Sequence, residues 1–475
     1  MKNIVVPGLL LFLVLSLLSG FTNRMRNLPK DEGLLIKIDT LASNLTVPWQ
    51  ILFLPDSTML FTERPGQVRL FRKGKLSTKP ILNVDDVKAE TKTGLLGMVI
   101  HPNFTKNHFI YLAHNYGTKN LIYLRVVRYE FVKDSLIKPK TLIEGIPAAR
   151  NHTGCRLIFG PDKKLYISAG DADQPALAQD LKTYNGKILR INDDGSVPND
   201  NPFVRSDTAK HEIWTYGHRN PQGLVFQPVS HLLYDSEHGP TGGDEINTVF
   251  EGENYGWPTI HHQERRKGMV TPLLEYSPSI GPSEMIFYQG KAFPKLRGNL
   301  LVACLRGASI LRIPPGSGTY SKQELLLKKK YGRIRSIVEG PDGFIYISTS
   351  NFDLPESKGE RPFDMILRLR PSKNKSDAVI GERIEPNVKV KTERVQTSSA
   401  NLFKQLCASC HGEKLEGTTT AKAIKGGNFV FGSDKNSVVK NIKTGIPAKG
   451  MPAWNGAISD KNIDELAEYV LSMSR

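Results

Sequence analysis

Cysteine is scarce in this chain of 475 residues: it has four, and two of them belong to one Cys-x-x-Cys-His motif near the C-terminal end. So few cysteines exclude a fold held together by a framework of disulfides. We expect the other two, Cys155 and Cys304, to be buried free thiols, although an oxidising compartment would also allow a disulfide between them.

Long apolar segments are missing after residue 25, so no membrane-spanning helix is expected there. Before it, Lys2 is followed by an apolar run from about Pro7 to Leu18 and then by small residues. This run is shorter than the roughly 20 residues that a spanning helix needs. It predicts a secretory signal over residues 1–22 rather than a membrane anchor. We therefore expect a soluble, exported protein without a stable membrane span, located in a periplasm or secreted.

Nucleic-acid-binding motifs are also absent, although the formal net charge is +17. The basic excess lies mostly before residue 396. A solvated basic surface is the common reason for such a charge, and an anionic partner is the alternative.

Helical periodicity is almost absent before residue 398, where a different pattern recurs. An apolar strand, a turn centred on Pro-Asp or a relative, and a second apolar strand form six copies, which begin at residues 51, 97, 156, 223, 293 and 336. Each blade of a β-propeller needs about 40 residues, and more when its loops are long. The pattern therefore predicts an all-β six-bladed propeller.

If each copy is a hairpin, the residues before its first strand and after its second strand return to one face of the propeller. Several of these flanking residues have side chains or backbones suited to chemistry, and we expect them to surround one mouth of the central channel. They are His152, Asp171, Arg219, Asn220, Gly239, Pro240, Arg306, Arg333 and Arg335.

Four arginines around one pocket repel one another unless an anionic group lies among them, and guanidinium pairs best with carboxylate or phosphate. A lone histidine is more often structural than catalytic. Here the expected neighbours favour His152 as a base, with Asp171 orienting it.

The strings "NHTGCRLIFGPDKKLYISAGD", "GHRNPQGLVF" and "SEHGPTGGDEINTVFEGENYGWP" carry a family resemblance. From about residue 35 to 371 the chain resembles the soluble pyrroloquinoline-quinone (PQQ)-dependent aldose dehydrogenases of the glucose/sorbosone type, which are six-bladed propellers. The cofactor of that family is a quinone with three carboxylates, which matches the arginine cluster.

The resemblance implies a role for each matching residue. His152 corresponds to the base that removes the proton of the sugar C1 hydroxyl, and Asp171 to its carboxylate partner. Arg219 and Asn220 correspond to contacts of the quinone, and the pair Arg333 and Arg335 to ligands of the cofactor carboxylates. The backbone carbonyls of Gly239 and Pro240 correspond to ligands of a calcium ion that bridges protein and cofactor.

Two positions depart from the family pattern. Lys92 stands where a cofactor-contacting glutamine is expected, and Arg306 stands where a lysine is usual. Arg306 keeps the positive charge, so cofactor binding should survive. Lys92 adds a charge, which leaves the orientation and the identity of the sugar open.

Residues 372–395 are charged and poor in aromatic residues, which predicts a linker, with short strand-like contacts as an option. Helical patterns follow, including a final helix that Ser459 could cap. Residues 396–475 are similar to a small all-α class I cytochrome c.

The string "FKQLCASCHG" predicts a covalently attached haem c, with thioether bonds to Cys407 and Cys410 and His411 as an axial iron ligand. A zinc site would need further ligands, and the last 80 residues contain no other cysteine or histidine. Met451, in "KGMPAW", is the expected sixth ligand, whereas Met473 lies in the last predicted helix.

Together these features predict a quinohaemoprotein that oxidises an aldose at C1 to its lactone. Hydride would pass to PQQ, and electrons would leave through the haem to an external acceptor such as another cytochrome or a respiratory carrier. The alternative is a sugar-binding or docking propeller that carries an electron-transfer cytochrome and has no dehydrogenase activity, because a propeller alone does not define an enzyme.

Overall fold

The computed structural model describes residues 33–118, 121–315, 322–353, 364–387, 399–418, 421–446, 449, 451, 454 and 460–474. The predicted signal segment and Ser459 lie outside these residues. So does most of the stretch between residue 387 and the first helix of the C-terminal part.

Six antiparallel sheets form the large domain, which confirms the predicted six-bladed propeller. In the first five blades the strands follow one another outward from the centre. The strands in chain order are β1 (Leu34–Leu45), β2 (Pro48–Phe53), β3 (Met59–Glu63), β4 (Gln67–Arg72), β5 (Lys75–Leu76), β6 (Leu82–Asn83), β7 (Leu95–Ile100), β8 (Phe109–Gly117), β9 (Ile122–Val132), β10 (Ser135–Ala148), β11 (Leu157–Phe159), β12 (Leu165–Ala169), β13 (Lys187–Ile191) and β14 (Ile213–Tyr216).

The second half of the propeller continues in the same way. Its strands are β15 (Pro221–Phe226), β16 (Leu233–Glu237), β17 (Asp244–Val249), β18 (Leu274–Tyr276), β19 (Pro282–Phe287), β20 (Leu300–Cys304), β21 (Ser309–Ile313), β22 (Gln323–Leu326), β23 (Ile334–Glu339), β24 (Ile345–Thr349), β25 (Asp364–Pro371), β26 (Ala378–Val379) and β27 (Glu382–Ile384).

The N-terminal strand closes the propeller. Strand β1 pairs antiparallel with β25, so the sixth blade contains β23, β24 and β25 from the end of the domain and β1 from its beginning. This pairing joins residues more than 300 positions apart, and it fixes the last blade against the first.

The Pro-Asp turns have a common physical cause. In the third blade Asp162 accepts a hydrogen bond from the backbone N–H of Lys164 (3.1 Å) and from the hydroxyl of Tyr166 (3.0 Å). In the sixth blade Asp342 accepts from Phe344 N–H (3.0 Å) and from the Tyr346 hydroxyl (2.7 Å). An aspartate that bonds its own backbone two residues on stabilises a tight turn, and the tyrosine then joins the turn to the next strand.

The fifth copy of the repeat differs from the expectation. The string that begins at residue 293 covers only the turn and β20, and the first strand of this hairpin is β19, which ends at Phe287. A longer connection with a short 3₁₀ turn at Pro294–Leu296 separates the two strands.

A hydrophobic cluster lies between each pair of neighbouring blades, so the core is a ring of six interfaces around the central channel. The cluster between the fourth and fifth blades continues into the helices of the C-terminal part. Cys155 and Cys304 are buried free thiols, so the disulfide alternative is not formed.

The chain after the propeller is partly ordered against the propeller. Strand β26 pairs with β1, and β27 pairs with β22. The helices are a short α1 (Phe104–Asn107) in the second blade and, in the C-terminal part, α2 (Ser399–Leu406), α3 (Ala408–His411), α4 (Lys435–Thr444) and α5 (Asp460–Met473). Among the described helices, none combines the length and apolar character that a membrane crossing requires.

Candidate active site and haem site

The mouth is the end of the central channel at which the innermost strands begin and the second strands end. His152 precedes the innermost strand β11, and Asp171 follows β12. Arg219 and Asn220 precede β15, while Arg333 directly precedes β23. Because all innermost strands run in the same direction, the predicted residues lie at one face.

His152 and Asp171 form a close pair. His152 Nδ1 lies 2.8 Å from Asp171 Oδ1 and 3.3 Å from Asp173 Oδ1. Asp171 is fully buried, whereas the His152 side chain is 19% exposed. If Nδ1 donates its proton to this carboxylate, Nε2 is the ring nitrogen that is left to accept a proton.

The backbone around this pair is held in an unusual conformation. His152, Ala172 and Asp173 have φ values of 49°, 54° and 58°, in the left-handed region that residues other than glycine rarely adopt. Such residues cost on the order of 1–3 kcal/mol each and cluster at functional sites. A Cβ at Gly170 would come within 2.1 Å of the His152 carbonyl oxygen, so only glycine allows the two segments to approach.

Trp257 is a third member of this hydrogen-bonded group, and it was not predicted from the sequence as a site residue. Its indole Nε1 donates to Asp171 Oδ2 at 2.8 Å, while the Asp173 N–H donates to Asp171 Oδ1 at 2.9 Å. The Asp171 carboxylate is therefore held on both oxygens. Trp257 lies within the "NYGWP" string, but nothing in its spacing indicates which carboxylate it contacts.

Arg219 lies over the ring of Trp257, with 5.3 Å between the guanidinium carbon and the ring centroid. It donates from Nη1 to the carbonyl oxygen of His238 (3.0 Å), and its Nε is buried without a hydrogen-bond partner among the described residues. Burial lowers the pKa of Arg219, and the carboxylates of Asp171 and Glu237 offset part of that shift.

Gln222 joins two of the predicted cofactor ligands and was also missed. Its Nε2 donates to Asn220 Oδ1 (3.1 Å), and its Oε1 accepts from Arg335 Nη1 (3.1 Å). The three residues are buried. Asn220 Oδ1 also accepts from Gly154 N–H (3.3 Å), so the orientations of Asn220 and Arg335 depend on one amide.

The loop at Gly239 and Pro240 is tightly folded. The Gly239 N–H donates to Asp244 Oδ1 (3.0 Å), and the Gly243 N–H donates to Ser277 Oγ (2.8 Å). A Cβ at Gly239 would lie 2.1 Å from the carbonyl oxygen of Gly242, so no larger residue fits there.

The remaining predicted ligands lie at the same face with fewer described contacts. Lys92 N–H donates to the carbonyl of Arg150 (3.1 Å), two residues before His152. Arg306 is exposed after β20. The backbone N–H of Arg333 donates to Asn351 Oδ1 (2.8 Å), which fixes the start of β23.

A buried charged cluster lies beneath Arg219. His218 Nδ1 is 3.1 Å from both Asp235 Oδ2 and Glu237 Oε1, and Glu237 Oε2 accepts the Arg219 N–H (2.7 Å). Burial alone would lower the pKa of His218, but Glu237 and Asp235 raise it to about 9. Burial raises the pKa of Asp235, as does Glu237. The cluster anchors the segment that carries Arg219.

In the C-terminal part, Cys407 directly precedes α3, and Cys410 and His411 are the last two residues of this helix. Cys407 and Met451 pack against the same hydrophobic cluster. The backbone of Met451 is held by an isolated antiparallel β-bridge to Ile446, whose N–H donates to the Met451 carbonyl (2.9 Å). Burial lowers the pKa of His411, which favours the neutral imidazole that binds metals.

Fold and site together define a propeller with a histidine–aspartate pair at its mouth, joined to a small helical domain with a haem-attachment motif. The family model described as "Glucose / Sorbosone dehydrogenase" matches residues 45–355, and the model "Cytochrome C oxidase, cbb3-type, subunit III" matches residues 395–470.

Known proteins show the same relationship. The aldose sugar dehydrogenase YliI of Escherichia coli is 34% identical over 355 residues, which cover 71% of this chain and 93% of that protein. The quinoprotein glucose dehydrogenase B of Acinetobacter calcoaceticus is 30% identical over 406 residues, 65% of this chain and 84% of that one. The PQQ-bound aldose sugar dehydrogenase of Streptomyces coelicolor superposes with a TM-score of 0.62 at 29% identity, covering 70% of this chain and 98% of that structure.

This chain belongs to the glucose/sorbosone dehydrogenase family and carries a C-terminal cytochrome c domain. It is an oxidoreductase of the aldose sugar dehydrogenase type.

Proposed function

We propose that this protein is a periplasmic, PQQ-dependent dehydrogenase that oxidises an aldose at C1 to its lactone and passes the electrons on through its own haem c. The observation that carries the proposal is the His152–Asp171 pair, with Nδ1 and Oδ1 2.8 Å apart at the mouth. A buried carboxylate that holds Nδ1 leaves Nε2 as the proton acceptor.

His152 takes the proton of the C1 hydroxyl at Nε2 in this proposal. Asp171 keeps the imidazole in the required tautomer and stabilises the positive charge that forms on it. Trp257 and the Asp173 N–H hold the carboxylate in place. General base catalysis of this kind contributes about 10²- to 10⁴-fold to a rate.

The cationic residues at the mouth fit a cofactor with several carboxylates. Arg219 and Asn220 are assigned to the quinone ring, Arg333 and Arg335 to the cofactor carboxylates, and Lys92 and Arg306 to further contacts. The buried Nε of Arg219 has no partner among the described residues and is suited to an acceptor on a ligand. Two relatives, a quinoprotein glucose dehydrogenase and an aldose sugar dehydrogenase with bound PQQ, agree with this choice.

Calcium is assigned to the carbonyl oxygens of Gly239 and Pro240. These are neutral oxygen ligands of the kind that a hard cation prefers. The tight loop around Gly239 has no space for a side chain at that position.

Haem c is assigned to Cys407 and Cys410 by thioether bonds, with His411 and Met451 as the axial iron ligands. The donor set fits, because His411 is held neutral by burial and both Cys407 and Met451 border one apolar cluster. When bound, the quinone supplies a hydride acceptor and the haem supplies a one-electron carrier.

Each turnover removes two electrons and two protons from the sugar. Because a single haem accepts one electron at a time, an external carrier must oxidise it between the two transfers. Haem attachment of this type and the predicted export signal both favour a periplasmic location.

The test is to add PQQ and calcium to the haem-loaded protein, supply a panel of aldoses and follow haem absorbance. Reduction of the haem by at least one aldose is expected, and its loss in His152→Ala is expected with PQQ binding retained. No reduction with any sugar would leave the alternative, a sugar-binding or docking propeller that carries an electron-transfer cytochrome. Reduction that persists in His152→Ala would remove the assigned base.

A further inference from the structure

We propose that residues 378–387, which we call the strap, hold the cytochrome c domain at the fourth-blade side of the mouth. This inference rests on the proposed function, because it explains how the haem of this chain meets the electrons released at its own mouth. It assigns a role to a stretch that the sequence predicts to be a linker, with short strand-like contacts as an option.

The strap follows the outer edges of successive blades. Its strand β26 pairs with β1, the outermost strand of the sixth blade, through Leu34↔Val379 and Leu35↔Ala378. Its strand β27 then pairs with β22, the outermost strand of the fifth blade. Main-chain pairing at two neighbouring blades fixes the direction of the chain around the propeller, from the sixth blade toward the fourth.

The fourth blade receives the end of the strap. The backbone N–H of Asn387 donates to the carbonyl of Glu275 (2.9 Å), and its side-chain Nδ2 donates to the carbonyl of Ser277 (2.9 Å). Glu275 lies in β18, the outermost strand of this blade, and Ser277 directly follows it at the mouth side. The strap therefore touches three blades in order and ends near the mouth.

Asn387, the anchor of the strap, is connected through one residue to the loop that is assigned to calcium and the cofactor. Ser277 accepts a hydrogen bond from Gly243 N–H through Oγ (2.8 Å), while its carbonyl accepts from Asn387. The Gly239–Gly243 loop is thus joined to the end of the strap through a single serine.

The length of chain beyond the anchor limits where the cytochrome domain can lie. Eleven residues separate Asn387 from Ser399, where α2 begins, and a fully extended segment of that length spans at most roughly 40 Å. The cluster between the fourth and fifth blades is also continuous with the apolar residues of the cytochrome helices, and Ile384 of the strap packs against it. Tether and packing place the domain on the same two blades.

The charge of the strap end is modest, and its Arg383–Glu385 ion pair is exposed. Backbone pairing and the Asn387 contacts, rather than the side chains of the pair, therefore hold the strap. A variant that breaks the backbone contacts should therefore detach the strap, whereas a control variant that breaks only the ion pair should not. The double variant Arg383→Pro/Asn387→Ala removes the backbone N–H of residue 383 in β27 and the side-chain amide of Asn387. Arg383→Ala removes the same ion pair and keeps the backbone.

The first experiment measures distance and does not depend on catalysis. A nitroxide is attached to Thr241→Cys, an exposed position of the Gly239–Gly243 loop, and its distance to the ferric haem is measured in the full chain. The label is specific because the native Cys155 and Cys304 are buried. A label at Lys79→Cys, on the opposite first blade, is the reference. A single narrow distribution, shorter for Thr241→Cys than for Lys79→Cys, is expected.

Detachment should broaden and lengthen the Thr241→Cys distribution, and so should a flexible Gly-Ser insertion after Asn387, which leaves the strap itself intact. Arg383→Ala should leave it unchanged. A broad distribution in the unaltered chain, or the same distribution in all variants, would overturn the proposal.

The second experiment follows electrons. After rapid mixing with an aldose, haem reduction should slow at least about tenfold in the detached and inserted variants, while sugar oxidation by an artificial dye continues at the rate of the unaltered protein. Equal haem reduction in all variants would contradict the strap. If no sugar is oxidised with the dye but the distances behave as expected, the proposed function fails and the strap stands.

Discussion

Trp257 donates its indole N–H to Asp171 at 2.8 Å, and Asp171 in turn holds His152. The tryptophan lies between β17 and β18, the two outer strands of the fourth blade, whereas Asp171 and His152 belong to the third blade. The proposed catalytic pair of the third blade is therefore positioned by a residue of the fourth blade, and a change in the packing of these two blades would displace His152 directly.

Removing this hydrogen bond should impair catalysis more than sugar binding. In Trp257→Phe the ring remains but the donor is lost, so we expect kcat to fall by roughly tenfold with KM within about twofold, since the contact orients the base rather than the substrate. Dye-linked steady-state kinetics measure both. Trp214→Phe is the control, because Trp214 packs on Tyr166 away from the mouth. Equal loss of kcat in the two variants would contradict the positioning role.

Gln222 should control the affinity for the cofactor. Gln222→Met removes one hydrogen bond from buried Arg335 and one from buried Asn220, and a hydrogen bond of this kind contributes about 0.5–1.5 kcal/mol. We expect PQQ to bind about tenfold more weakly, as measured by titration of the apo protein. Gln289→Met, at an exposed position on the opposite face, should bind PQQ normally. Unchanged affinity in Gln222→Met would remove Gln222 from the site.

The stability of the propeller should fall as the pH rises from about 6.5 to about 9. The pKa of His218 is raised from 6.5 to about 9 in the fold, so the native state keeps a proton that the unfolded chain releases in this window. The expected loss is on the order of 3 kcal/mol, since one pKa unit corresponds to about 1.4 kcal/mol.

Urea unfolding at several pH values measures this dependence. His218→Gln removes the titrating group and should flatten the alkaline slope, whereas His231→Gln, at an exposed turn, should keep it. The same slope in His218→Gln and in the unaltered protein would show that another group controls it.

The sequence was sufficient to predict the features that follow from strand periodicity and from the residues on either side of each hairpin. His152 and Asp171 lie on either side of one hairpin, so their proximity could be predicted from the alternation of strands. Trp257 and Gln222 could not be found this way, because their contacts depend on how neighbouring blades pack and on the direction of a side chain.

The linker was predicted with short strand-like contacts as an option, but the strands with which they pair could not be predicted, for another reason. Strands of two and three residues, such as Ala378–Val379 and Glu382–Ile384, are too short to show a period of two. Their pairing is decided by the free edges of β1 and β22, which are distant in sequence. The Cys407–His411 motif, by contrast, carries its chemistry in its own spacing.

The sixth ligand of the haem is tested by two methionines of the same domain. Met451→Ala should lower the reduction potential of the haem, because a methionine ligand raises it. Haem reduction by sugar should then slow, while dye-linked sugar oxidation keeps its rate, since the propeller is unaltered. Met473→Ala, at the end of α5, should leave the potential unchanged. Redox titration followed by haem absorbance measures both variants, and an unchanged potential in Met451→Ala together with a lowered one in Met473→Ala would transfer the assignment to Met473.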